Sequence, residues 1–108
     1  EMIVADAVAE EELKFGNFMP TGTYLDMCAH LPLVDPEKLP MAVQIIRGEH
    51  DGIASLHDIV SFFEKLPNPD KQFTVLPGSA HIAQFGLNFR RFYHVLFGFL
   101  NMPPRVDL

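Results

Sequence analysis

Between Met41 and Leu100 the apolar positions change their spacing three times. Met41 to Ile46 is an almost unbroken apolar run that includes Val43, Ile45 and Ile46. A short run of this kind suits a strand covered on both faces, as in a parallel sheet. Gly48 and Gly52 frame the turn after it. The period then lengthens: Leu56, Ile59, Val60, Phe63 and Leu66 form one stripe and predict an amphipathic helix. Ser55 is placed to cap it, and Asp58 three residues on completes a capping-box pattern. Pro67-Asn68-Pro69-Asp70 ends that helix. Gln72 to Leu76 alternates and is rich in β-formers, so it predicts a second strand, closed by Pro77-Gly78. Asn88 is placed to cap a last helix with the stripe Phe89, Phe92, Tyr93, Leu96 and Leu100, ended by Met102-Pro103-Pro104. Strand, helix, strand, helix in that order implies a parallel crossover of right-handed sense, and the class is α/β.

The first third of the chain reads differently. Ile3, Val4, Ala7, Val8 and Phe15 predict a helix over 2–15 that stops near Gly16. Glu10 to Glu12 sit towards its carboxyl end, where the helix dipole disfavours them. Pro20-Thr21-Gly22-Thr23 predicts a turn and a second helix start, followed by Tyr24, Leu25, Cys28 and Leu31, with Pro32 closing the segment. Asp35 to Pro40 is a polar connector with two prolines. Two parts result: a helical segment over 1–34 and an α/β part over 35–108. Two strands make a poor sheet, because both are edges. The chain also opens on Glu1 in a crowd of acids, with no opening strand. The expectation is a piece of a longer protein, whose exposed edges and apolar faces make it self-associate as a homodimer.

Charge narrows the partners. The formal net charge of −6 argues against nucleic acid and against anionic membrane surfaces, which want basic patches. No run of eighteen apolar residues is present, so no membrane span is expected. The single cysteine, Cys28, forms no internal disulfide and suits a reducing, cytoplasmic setting; in a helix it is expected to be buried filler.

In open parallel sheets, functional groups gather beyond the carboxyl ends of the strands. Two loops qualify. The first carries Glu49, His50 and Asp51; the second, residues 77 to 81, carries His81. Neighbouring strands lie about 4.8 Å apart, so a short acid from the first loop can reach an imidazole from the second. A carboxylate bonded to one ring nitrogen sets the tautomer and stabilises the imidazolium formed when the other nitrogen takes a proton. Asp51 is read as that acid rather than as a plain turn aspartate, and His81 as the base. Glu49, the nearest rival, is expected to face solvent or a salt bridge. His50 is read as a loop residue, and His30, His57 and His94 as surface or packing residues. No metal-ligand spacing occurs.

Gly48-Glu49-His50-Asp51 after an apolar strand, then Pro77-Gly78-Ser79-Ala80-His81 after the next, resembles the C-terminal third of the α/β-hydrolase fold. In that family the acid follows the seventh strand in many members and the histidine follows the eighth. The lead-in Asp35-Pro36-Glu37-Lys38-Leu39 and the final amphipathic helix fit as well. The resemblance covers residues 35 to 100; residues 1 to 34 fit loosely, as the end of a lid region and its return to the core. It implies a Ser nucleophile, less often Asp or Cys, on a G-x-S-x-G elbow earlier in the chain. This sequence departs from that pattern. Its serines are Ser55, Ser61 and Ser79, and none sits between glycines at the elbow spacing. Ser79 is expected to stabilise its turn instead.

The resemblance therefore implies a serine-type hydrolase of acyl or ester bonds in a small-molecule substrate. Asp51 and His81 are its acid and base, the nucleophile lies upstream, and no organic cofactor or metal takes part. The piece alone is expected to be inactive. The alternative is a non-catalytic binding or scaffold protein that kept the fold. A flavodoxin-like domain would need three more strands, which the first 34 residues do not offer.

Overall fold

A computed structural model describes residues 2–18 and 21–108 of the chain. The chain divides into two compact units, Glu1–Asp35 and Pro36–Leu108.

The first unit holds two helices, α1 (Met2–Leu13) and α2 (Gly22–Ala29). α1 is shorter than its apolar spacing suggests. Its last turn tightens, with the amides of Lys14, Phe15 and Gly16 donating to the carbonyls of Glu11, Glu12 and Leu13. Phe15 thereby falls outside the helix and stands exposed. Pro20, assigned to a turn above, lies outside the described residues. α2 begins after Thr21, whose side chain makes no capping bond. It ends at Ala29, before Pro32, and His30 Nδ1 lies 3.0 Å from Asp26 Oδ1 across its last turn. Cys28 is exposed, against the expectation of burial: an eight-residue helix with no buried residue offers it no interior.

The second unit is α/β. A short 3₁₀ turn at Pro36–Lys38 leads into β1 (Val43–Gly48), then α3 (Leu56–Lys65), β2 (Lys71–Leu76) and α4 (Phe89–Leu100). The strands pair in parallel, from Val43 opposite Lys71 to Gly48 opposite Leu76. β1 sits two residues further along than the apolar run predicts. Met41 and Ala42 are apolar but lie outside the ladder, which runs on through Arg47 and Gly48.

Alternation sends successive side chains of each strand to opposite faces. On one face Phe73 meets Phe63 of α3, with ring centroids 6.1 Å apart. On the other, Gln44 Nε2 donates to the Val95 carbonyl of α4 at 3.0 Å. The sheet is thus lined by α3 on one side and α4 on the other. Ser55 caps α3 as expected: its hydroxyl accepts from the Asp58 amide at 3.0 Å and donates to Oδ2 of Asp58 at 2.7 Å. At the other end Lys71 Nζ donates to the carbonyls of Phe63, Glu64 and Leu66, a cation at the negative end of the helix dipole. Asn88 does not cap α4 with its side chain; that amide reaches the histidine loop instead.

Burial is thin. Among the described residues the buried apolar side chains are those of Pro36, Leu66, Leu76 and Ala83, and the α4 stripe leaves Phe89 and Leu100 exposed. Two strands cannot hide both helices' apolar faces. No helix among the described residues is long and apolar enough to cross a membrane.

Candidate functional site

Both strands end where their loops can meet. β1 runs out at Gly48, and a side chain here is sterically barred. A Cβ on Gly48 would stand 2.3 Å from the Ala80 carbonyl oxygen and 2.5 Å from that of Ser79. The histidine loop therefore lies directly over the end of β1. Gly78 has φ +67°, in the left-handed region that glycine reaches without strain, and this turns the chain back after β2.

The crossing is stitched by hydrogen bonds. The Glu49 amide donates to the Leu76 carbonyl at 2.9 Å, carrying the ladder one residue past β1. The His50 amide donates to the Ser79 carbonyl at 2.9 Å. Glu49 Oε2 accepts the Gly78 amide at 2.8 Å, and lies 3.5 Å from His50 Nε2. Glu49 was expected to meet solvent or an ion pair; it also joins the two loops. From the far side, Asn88 Nδ2 donates to the Gly78 carbonyl at 3.0 Å.

These contacts bring Asp51 and His81 together. Asp51 Oδ2 lies 3.0 Å from His81 Nδ1. Its other oxygen, Oδ1, accepts the amides of Ile53 at 2.9 Å and Ala54 at 3.3 Å. Both oxygens are thus engaged, and the carboxylate side chain is only 7% exposed. The hydrogen bond from His81 and the Ile53 amide lower the Asp51 pKa from 3.8 to about 2; desolvation acts the other way and loses. Asp51 is ionised at neutral pH and can only accept. His81 Nδ1 must then carry the proton in the shared bond, which leaves Nε2 of the neutral ring with its lone pair free. Nε2 has no hydrogen-bond partner among the described residues, and the imidazole is half exposed.

His57 and His94 are exposed on α3 and α4, His30 is exposed just past the end of α2, and His50 is exposed in the acid loop. Ser79 is 6% exposed, and its hydroxyl makes no hydrogen bond. Its carbonyl, not its hydroxyl, secures the turn. No group of three His, Cys, Asp or Glu among the described residues is arranged to hold a metal ion.

One residue escaped the sequence reading. Arg47 is 9% exposed and directs its guanidinium into the acid loop, onto backbone carbonyls. Its signal was there: an arginine set as the penultimate residue of a mostly apolar strand, immediately before Gly48.

No protein-family model, curated protein or solved structure matches this chain.

Proposed function

We propose that this chain carries the acid–base half of a nucleophile–histidine–acid hydrolase of the α/β-hydrolase superfamily. Its substrate class is a small molecule with an acyl or ester-type bond. The supporting observation is the 3.0 Å contact between Asp51 Oδ2 and His81 Nδ1 in an imidazole that is half exposed. In this reading His81 Nε2 takes the proton of an attacking hydroxyl and later gives it to the leaving group. Asp51 fixes the tautomer and stabilises the imidazolium between those steps. None of the chain's own serines is fitted to be the nucleophile. Ser55 Oγ is bonded to Asp58, Ser61 lies within α3, and Ser79 is buried. The attacking group comes from another segment, and these 108 residues alone do not turn over substrate. The lone free Cys28 fits a reducing, cytoplasmic setting.

Nitrogen-15 NMR of the imidazoles tests the pair in the chain itself. Above pH 8, His81 should be in the Nδ1–H tautomer, and Asp51→Ala should convert it to Nε2–H, the form that histidine favours in water. An Nε2–H signal in the unmutated chain removes the basis of the reading. Where the chain is joined to its nucleophile, Asp51→Asn and His81→Ala should each cut kcat by about 10³–10⁴-fold. Near-normal rates in both variants would refute those roles, and absence of turnover in the unmutated, joined protein would point instead to a binding or scaffold protein.

The thin core and the free strand edges extend this reading to a second copy of the chain as partner. Size-exclusion chromatography with light scattering should report a dimer; a stable monomer at low concentration counts against it.

A further inference from the structure

We propose that Arg47 is the positioning residue of the acid loop, holding Asp51 against His81 through the loop's carbonyls rather than through charge. The inference rests on the acid–base reading above and adds a residue that reading does not contain.

The geometry is specific. Arg47 Nε donates to the Ala54 carbonyl at 3.1 Å. Nη1 donates to the carbonyls of Gly48 at 2.8 Å and Glu49 at 3.3 Å. Nη2 donates to the Asp51 carbonyl at 2.8 Å. Residues 48 to 54 therefore wrap around one planar cation, with bonds on both sides of the acid. None of these bonds goes to the Asp51 carboxylate. A buried cation must be hydrogen-bonded, and the loop's carbonyls are its partners.

The wrapped loop has a further consequence. Asp51 Oδ1 takes the amides of Ile53 and Ala54, while the carbonyl of Ala54 is held by Arg47 Nε. The guanidinium thus sets where those two amides stand, and the amides set where Oδ1 stands. With Oδ1 held, Oδ2 faces His81. Arg47 acts on the histidine through two intervening groups.

A charge alone cannot do this. Lysine keeps the charge, but its three donors lie on one nitrogen, so it does not reproduce the planar fork whose Nε, Nη1 and Nη2 meet the carbonyls of residues 54, 48 and 51 from separate positions. If Arg47 worked by its charge, Arg47→Lys would be neutral; if it works by its fork, the substitution fails to rescue.

The full 108-residue chain is the sample, and the His81 tautomer is the readout. The unmutated chain should show Nδ1–H. Arg47→Lys and Arg47→Gln, with helix content and α4 amide protection unchanged, should both lose that signature. Exchange of the Ile53 amide should rise at least about tenfold, reporting the freed loop. Retention of Nδ1–H in Arg47→Lys overturns the role of Arg47 and leaves the Asp51–His81 pair standing. An Nε2–H signal in the unmutated chain removes the pair itself, and the inference with it. Should both variants fail to fold, the unmutated chain decides through its guanidinium. Separate, slowly exchanging Nη signals from Arg47 support the clamp, and a single averaged signal overturns it.

Discussion

The acid loop (48–54) and the histidine loop (77–81) end neighbouring strands and meet at one contact, yet they are held by different kinds of bond. The acid loop is secured from within. Arg47, Ile53 and Ala54 reach Asp51 or its neighbours across no more than seven residues of chain. The histidine loop is secured from outside. Its partners are Glu49, His50 and Asn88, and the first two lie 29 residues from the groups they bind. One loop is a local structure that would assemble wherever its strand ended. The other takes its place only once the sheet has formed. The two side chains differ accordingly: the Asp51 carboxylate is 7% exposed, while the His81 imidazole that meets it is 50% exposed. The acid–base reading proposed above needs both conditions, and each rests on a different set of bonds.

The largest test of that contrast is Gly48→Ala. The new methyl would collide with backbone at Ser79 and Ala80, not with a side chain that could rotate away. The histidine loop must lift off, and stability should fall by about 3 kcal/mol, the upper end of overpacking costs. Urea unfolding reads this as a lower midpoint with an unchanged slope; a loss under about 0.5 kcal/mol would show that the loops do not press together.

Acid breaks the other side of the comparison. The folded pKa of Asp51, about 2, lies below its ordinary 3.8. Its ionised form therefore stabilises the fold fully above pH 3.8, and that contribution fades as the pH falls from 3.8 through 2. The amide signals of Ile53 and Ala54 should titrate with a midpoint near 2. A midpoint near 4 would mean that the carboxylate is not bonded as described.

The smallest effect belongs to Asn88→Ala. It removes the outer tie on the Gly78 carbonyl, at an exposed position, and should cost about 0.5 kcal/mol. Because that side chain does not cap α4, helix content should stay constant while the amide of Gly78 exchanges faster. A drop in helicity would return Asn88 to the capping role that the sequence suggests.

Much of the second unit was legible before any coordinates. Leu56, Ile59, Val60 and Phe63 announce α3, and Ser55 with Asp58 announces its start, because a helix and its cap depend on neighbours three and four residues away. Strand bounds were harder. Met41 and Ala42 look like strand, yet the ladder begins at Val43 because its partner strand begins at Lys71. Hydrophobicity says which residues avoid water, not where a hydrogen-bonding partner stands. Phe15 shows the same limit in the first unit: its spacing continues the α1 stripe, while the backbone has already turned out of the helix.

The chain's order of residues alone determined the α/β succession from 41 to 100, the cap of α3, and the two loops on which an acid and an imidazole would be found. Each of these rests on short-range spacing, which a linear string carries in full. Tertiary structure decided which neighbours those loops have. It set Glu49 on the Gly78 amide, drew Asn88 away from its helix, laid Ser79 and Ala80 over Gly48, and closed residues 48 to 54 around Arg47. Those contacts depend on the register of two strands 28 residues apart and on the direction in which each side chain leaves the sheet. Such quantities exist only after the backbone has paired, because a shift of one residue would send every one of those side chains to the opposite face.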